Sequence, residues 1–370
     1  MTARIRTLAI FGTAVCLLLA AGCGRKGARW QGTIESVDGV SVVKNPKQPL
    51  YGPEVFSFEE ELAITQAEGA EENMFGDIRQ VDADGDESIY VFDVRSSHIQ
   101  VFDVEGRYLK TIGKPGQGPG ELDRPRMFSL CGGRLMVAEL SRRLSFFTPE
   151  GEFVRKVSTR DVWTLYARID SRGDIYSTEG RLDPQDPRYL VCKFDPDMNL
   201  IREIRSCPAP NAAKGFNPFM PVSYWVIDGS DNMIYGYPQD YTIEVIDPEG
   251  RLIKKISREY DPVEVTEKEK EEETQDVPPQ IRFEFSRTHS AFARFFADDE
   301  GRLFVQTWDK VPGDQEIYRW DVFDAEGRYM ASLPLVHRPF CIKKSKMYSI
   351  EEDEDGYQVV KRYKVGWKLD

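Results

Sequence analysis

Apolar and polar residues alternate along most of this chain in short runs, and almost no window longer than ten residues shows the 3.6-residue period of an amphipathic helix. The alternation recurs as a unit. Segments 101–113 (VFDVEGRYLKTIG), 146–158 (FFTPEGEFVRKVS), 193–205 (KFDPDMNLIREIR), 245–257 (VIDPEGRLIKKIS) and 322–334 (VFDAEGRYMASLP) align without gaps. Each has an apolar stretch, an acidic or threonine residue, a turn such as D-P-E-G-R, and a second alternating run. That pattern predicts two strands joined by a tight turn in which glycine supplies a positive φ. A second hairpin precedes each of these, at 81–93, 129–139, 168–179, 226–237 and 296–307, with a turn drawn from Asp, Gly, Ser and Asn.

The aligned segments start 45, 47, 52 and 77 residues apart. Four strands in a unit of that size make one blade of a β-propeller. Five units are complete, and 339–365 supplies three strands of a sixth. A three-stranded blade would leave an open edge, a pairing liability. Either 32–45 or 55–65 can supply its missing outer strand. The expected fold is therefore all-β: a six-bladed propeller of four-stranded antiparallel blades, its last blade closed by an N-terminal strand. Seven blades result if both N-terminal segments belong to a further unit.

The run 77–122, DIRQVDADGDESIYVFD followed by HIQVFDVEGRYLKTIGKPGQGPGEL, resembles an NHL repeat. Beyond its first residues the whole chain resembles bacterial lipoproteins of the six-bladed propeller kind. Gly39-Val40, Val43 and Asn45-Pro46 ahead of the first blade, and the G-x-G-P-G-E loop after it, fit that resemblance. It implies fold and export and says little about chemistry.

Arg4 and Arg6 precede the apolar run LAIFGTAVCLLLAAG, which ends at Cys23. A basic start, an apolar core of about 15 residues and small residues before the cut read as a secretory signal, short of the roughly 20 residues a membrane span needs. Leu19-Ala20-Ala21-Gly22-Cys23 resembles a bacterial lipobox, which implies lipidation of Cys23, although Ala20 stands where leucine is commonest. Gly24 rather than Asp then favours an outer-membrane anchor. The expected division is a signal peptide over 1–22, a tether over 23–31 and one propeller over 32–370, with a charged insertion at about 258–290. Cys131, Cys192, Cys207 and Cys341 remain, as buried thiols or as disulfides permitted by export.

Composition narrows the function. With 41% hydrophobic and 12% aromatic residues the 370-residue chain can build a core, and a formal charge of −13 opposes sequence-independent nucleic-acid binding. The glycine-rich loop 113–120 fails as a phosphate cradle, because Lys114 precedes the glycines it should follow and Pro119 removes a donor. It reads instead as the link between blades one and two. Asp82-Ala-Asp84-Gly-Asp86 invites calcium, but its glycine falls at position four rather than six and strands flank it. Hairpin chemistry explains it, so no cofactor is expected and calcium has no motif in support. His98, His289 and His337 are too few and scattered for the zinc site of propeller lyases. Thr266-x-x-Glu269 predicts a capping box opening a short charged helix in a solvated insertion. The aromatic run 281–296 predicts an extra strand or plug followed by the inner strand of blade five.

Ligands of propellers usually meet the loops between strands two and three and the loops between blades. Repeat mapping places there Arg95, His98, Arg142, Arg143, Arg181, Asp186, Arg188, Asp240, Tyr241, Trp308, Asp309 and Lys310, with Arg124 and Arg126 approaching. Arginine in an acidic chain suits carboxylate, phosphate or sulfated-sugar groups. The expected role is a lipid-anchored binding or interaction module of the cell envelope. Its partner would be an envelope protein or an anionic or saccharide ligand, with no nucleic acid and no membrane contact beyond the anchor. No catalytic residue is marked. The alternatives are a metal-dependent lyase or lactonase acting on a small molecule or glycan fragment, and a scaffold subunit of an envelope complex.

Overall fold

The computed structural model describes residues 29–65, 75–159, 162, 166–181, 183, 185–210, 215–275, 277, 278, 280–313 and 316–368. Cys23 and the segment read as a signal lie outside them.

Six sheets radiate about one axis, which settles the blade number at six. Blade one runs Ile78–Ala83, Ile89–Asp93, His98–Phe102 and Tyr108–Ile112 from axis to rim. Blade two is Pro125–Cys131, Arg134–Glu139, Arg143–Phe147 and Phe153–Ser158. Blade three is Tyr166–Ile169, Ile175–Arg181, Arg188–Phe194 and Leu200–Pro208. Blade four begins Tyr224–Ile227, Met233–Gly236, Thr242–Ile246 and Leu252–Arg258. Blade five is Arg294–Ala297, Leu303–Lys310, Tyr318–Phe323 and Tyr329–Leu335. Blade six takes Pro339–Lys343, Lys346–Glu352 and Gln358–Trp367 from the C-terminal region and its outer strand, Phe56–Ile64, from the N-terminal region.

Of the two N-terminal candidates, 55–65 closes the ring. The other, a hairpin of Thr33–Val37 and Val40–Asn45, turns at Asp38 (φ 52°) and Gly39 (φ 81°) and docks parallel to Leu252–Arg258, so blade four has six strands. Asn45 fixes it there. The Asn45 side chain is buried, and its amide oxygen accepts from Trp30 Nε1 (3.0 Å) and from the backbone N–H of Tyr329 (2.7 Å). Its NH2 group donates to the carbonyls of Ser257 (3.1 Å) and Gly327 (2.9 Å). All four hydrogen-bonding positions of the amide are used, across the hairpin, blade four and blade five.

The repeating turns hold themselves. Asp84, Asp170, Asp195, Asp228, Asp298 and Asp353 each use Oδ1 to accept from the backbone N–H groups two and four residues on. In the D-x-E-G-R turns the arginine returns to the same aspartate, as Arg107 Nε does to Asp103 Oδ2 at 2.7 Å and Arg328 Nε to Asp324 Oδ2 at 2.6 Å. Asp84 thus spends its carboxylate on its own hairpin, as the sequence suggested for that turn.

Cores lie between blade faces. Ile89, Val91, Phe102 and Tyr348 fill the seam between blades one and six, and Ile243, Phe292, Phe295 and Phe323 the seam between four and five. Neighbouring inner strands are pinned by side chains. The Gln80 amide donates to Phe128 O (2.9 Å) and accepts from Phe128 N (3.1 Å), and Ser129 Oγ accepts from Ile169 N (3.1 Å). Among the described residues no helix is long and apolar enough to cross a membrane.

Candidate functional site

The inner strands surround an axial cavity of about 340 Å³ that every blade helps to line. Its lining holds five cationic side chains, Arg79, Arg126, Arg168, Arg338 and Lys343, and one carboxylate, Asp82. Lys343 neutralises Asp82 at 2.6 Å, and Arg79 pairs with Asp77 at 2.8 Å on the rim. Arg126, Arg168 and Arg338 have no carboxylate within ion-pairing distance among the described residues. Arg168 instead lies over the Tyr166 ring, 4.3 Å from its centre, and Arg338 over Phe340 at 4.8 Å. Burial and then the neighbouring Arg294 guanidinium lower the pKa of Arg338, while Tyr224 and Tyr166 act the other way. Arg294 leaves its Nε buried and without a hydrogen-bond partner among the described residues. Positive charge gathered around one cavity of an acidic protein focuses potential on the axis.

Of the fourteen residues mapped to the ligand face, only Arg126 lines this cavity. Arg95, Arg124 and Arg142 are exposed on the surrounding loops, where Arg124 (φ 51°) sits 3.5 Å from Asp123 and Arg142 has φ 59°. Arg143 begins strand three of blade two. Arg188 donates to Ser206 Oγ (3.0 Å) and pairs with Asp186 (3.5 Å), and Arg181 with Glu203 (2.7 Å). His98 is half-buried, and burial lowers its pKa. Lys310 pairs with Glu316 at 2.6 Å and lies 3.5 Å from Glu269.

Two of the fourteen do other work. Tyr241 is a core residue rather than part of the face: its hydroxyl donates to the buried Asp321 carboxylate (2.6 Å), which Tyr329 (2.7 Å) and Arg258 (2.6 Å) also reach. Burial chiefly, and Asp321 next, push the Tyr241 pKa well up. Trp308 stacks on His289, ring centres 4.3 Å apart, and donates to Ser290 Oγ (3.1 Å). It anchors the insertion.

That insertion is charged but not detached. Its helix, Glu267–Thr274, opens on the Thr266–Glu269 capping box and buries no residue. The Glu269 carboxylate also meets His289 Nε2 at 3.3 Å. Burial would raise the Glu269 pKa, but bonds from the Thr266 N–H and hydroxyl and the charge of His289 outweigh it and hold the carboxyl at about 2. The aromatic run that follows forms no regular strand before Arg294. Phe216 N–H donates to Arg282 O (2.8 Å) and Glu284 N–H to Phe216 O (2.9 Å), so two loops between blades interlock.

The glycine-rich loop carries its own anion. Gly118 N–H donates to Glu121 Oε2 at 2.9 Å, Lys114 Nζ lies 3.5 Å from the same carboxylate, and a Cβ on Gly116 would overlap it. This bond and the burial-opposed pull of Lys114 lower the Glu121 pKa. Acids at the ends of second strands are likewise engaged. Asp93 accepts from the N–H groups of Gly76, Asp77, Arg95 and Ser96, and Glu139 from Asp123 N and Ser145 Oγ. Among the described residues no three His, Cys, Asp or Glu side chains converge as a metal-ligand set.

The chain is a six-bladed β-propeller, and comparison with known proteins agrees with that class. Residues 64–131 match the family model DUF5128, described as a 6-bladed beta-propeller. A Bacteroides fragilis protein described as exported shares 11% identity with a TM-score of 0.55, over 88% of this chain and 99% of its own. A member of the DUF4221 family from Bacteroides vulgatus shares 12%, over 85% of this chain and 99% of its own, with a TM-score of 0.50. A virginiamycin B lyase from Staphylococcus aureus shares 10%, over 84% and 99%, with a TM-score of 0.42, too low to bear on activity. No curated protein matches the sequence.

Proposed function

We propose that this protein is an exported β-propeller that binds an anionic ligand on its axis. The observation that carries this reading is the trio Arg126, Arg168 and Arg338, contributed by three blades to one cavity and left without carboxylate partners among the described residues. A guanidinium without a carboxylate partner attracts a counter-ion, and its planar fork bonds carboxylate, phosphate or sulfate in two places. The aromatic floors under Arg168 and Arg338 hold both forks in place. Calorimetry with phytate, citrate and a sulfated disaccharide at low salt tests the reading. Binding that weakens with added salt, and by roughly 10- to 100-fold in Arg338→Gln, supports it, since a charge-assisted bond contributes about 1.5–3 kcal/mol. Absence of binding by every anion in the set refutes it.

Export and anchoring belong to the same proposal. They rest on the apolar run before Cys23, its likeness to a lipobox, and the similarity to a protein described as exported. Cys23→Ser should move the protein from the membrane to the soluble fraction, and unchanged membrane association would contradict lipidation.

A further inference from the structure

Beside the channel mouth, at the junction of blades three and four, lies a second cavity of about 250 Å³. Its walls are Tyr166, Tyr189, Tyr224, Trp225 and Val222, with Thr178 and Ser223 as the two aliphatic hydroxyls. Tyr224 belongs to both cavities, and Tyr166, which lines the second, is the ring beneath the Arg168 guanidinium of the first. The two are therefore neighbours across a shared tyrosine wall, one cationic on the axis and the other aromatic to one side.

The aromatic part is built rather than accidental. Trp225 is buried, donates from Nε1 to Thr178 Oγ1 at 2.7 Å, and meets the Tyr166 ring edge-on with centres 4.8 Å apart. Tyr166 and Tyr224 stand 6.4 Å apart, centre to centre. The Tyr166 hydroxyl is buried yet has no hydrogen-bond partner among the described residues. Leaving such a group unpaired costs about 1–3 kcal/mol, which a bound polar atom would recover. Val222 is 51% exposed at the entrance, an apolar side chain facing solvent where the cavity opens.

We propose that the ligand is an aryl acid: a planar apolar ring seated among Tyr166, Tyr189, Tyr224 and Trp225, joined to an acidic group held by Arg168 and Arg338. This rests on the anion reading above and adds the ring. A sugar acid fits less well, because sugar hydroxyls need several partners. Here Thr178 already accepts from Trp225, only Ser223 and the tyrosine hydroxyls remain to meet them, and four aromatic rings and a valine make up most of the wall. Aromatic rings meet aromatic walls edge-to-face or offset with centres 4.5–7 Å apart, spacings these walls already keep with one another.

The test compares four probes on the full-length purified protein, by calorimetry and by quenching of tryptophan fluorescence. They are naphthalene-2-carboxylate, acetate, naphthalene-2-methanol and glucuronate. Naphthalene-2-carboxylate should bind at least tenfold tighter than either acetate or the neutral alcohol. Val222→Asp, at an exposed position that does not threaten folding, should erase that preference while phytate still binds. If naphthalene-2-carboxylate and acetate bind alike, or glucuronate binds tighter than the aryl acid, the inference is overturned and the anion site stands. If Val222→Asp leaves the preference intact, the ring sits elsewhere and the inference also fails. If none of these acids and no phytate binds, the anion reading falls with it.

Discussion

Replacing Asn45 by alanine should cost about 3–5 kcal/mol of stability. The side chain is 3% exposed and bonds to four groups on three parts of the molecule. Truncation strands the Tyr329 N–H and the carbonyls of Ser257 and Gly327, all beside a packed core. Each buried group left unpaired costs about 1–3 kcal/mol, and water entering the hole returns part of that. The remainder is a large fraction of the roughly 5–15 kcal/mol that holds a typical domain folded. Asn45→Asp is the sharper variant, because it keeps both accepted bonds and the shape. It removes both donated bonds and turns a carboxylate oxygen on two carbonyls. The new acid would have a raised folded-state pKa, so its penalty is full at neutral pH and shrinks as falling pH protonates it. Urea unfolding followed by tryptophan fluorescence reads both variants, with the midpoint lowered and the slope unchanged. A loss under 1 kcal/mol for Asn45→Ala, or an Asn45→Asp protein as stable as wild type at pH 7, would refute the reasoning.

Other expectations follow from the same geometry. Gly327 has φ 92°, and a Cβ there would come within 2.8 Å of Ile256 Cγ1, so Gly327→Ala should destabilise by about 1–3 kcal/mol in the same urea assay. The Glu269 carboxyl is depressed to about 2 in the folded protein. Its hold on Thr266 and His289 should therefore weaken as pH falls from the ordinary carboxyl pKa of 4.5 toward 2. Fluorescence of Trp308, stacked on His289, should follow that loss, and Glu269→Gln should abolish the dependence. Burial pushes the thiol of Cys131 up to about 11 and that of Cys192 up to about 12. Both should resist alkylation at pH 8 in the native state and react after unfolding without reductant, as free thiols do.

Hairpins were legible in the sequence because their turns are local chemistry. An aspartate and the backbone two and four residues on suffice to mark one, whatever surrounds it. Ring closure was legible only as a choice of two, since 32–45 and 55–65 carry similar alternation and differ in what they meet across the molecule. Tyr241 shows a signal passed over: it alternates with Ile243 and Val245, both buried, so the pleat turns all three the same way. The axial arginines gave no repeat signal at all. Arg168 stands two residues before its turn aspartate, Asp170, and Arg294 four before Asp298. The inner-strand hairpins beside Arg126 and Arg338 turn through Gly132-Gly133 and Lys344-Ser345 and have no such aspartate. No column of the inner strands repeats an arginine, and only closure of the ring brings these side chains together.

The strand exchange in blade six also dictates an order of assembly. Lys361 Nζ meets Glu60 Oε2 at 3.0 Å across 301 residues of chain, and the Gln358 side chain accepts from Ile78 N–H across 280. As the chain is made from its N-terminus, Phe56–Ile64 must wait for nearly everything else before its neighbour exists. Closing so long a loop makes the last step slow. Meanwhile the strand is an unpaired edge, and the run Glu59-Glu60-Glu61 in its middle is the kind of charge that keeps such an edge from pairing with another chain. Those carboxylates then become the clasp, Glu60 to Lys361 and Glu61 to Arg362.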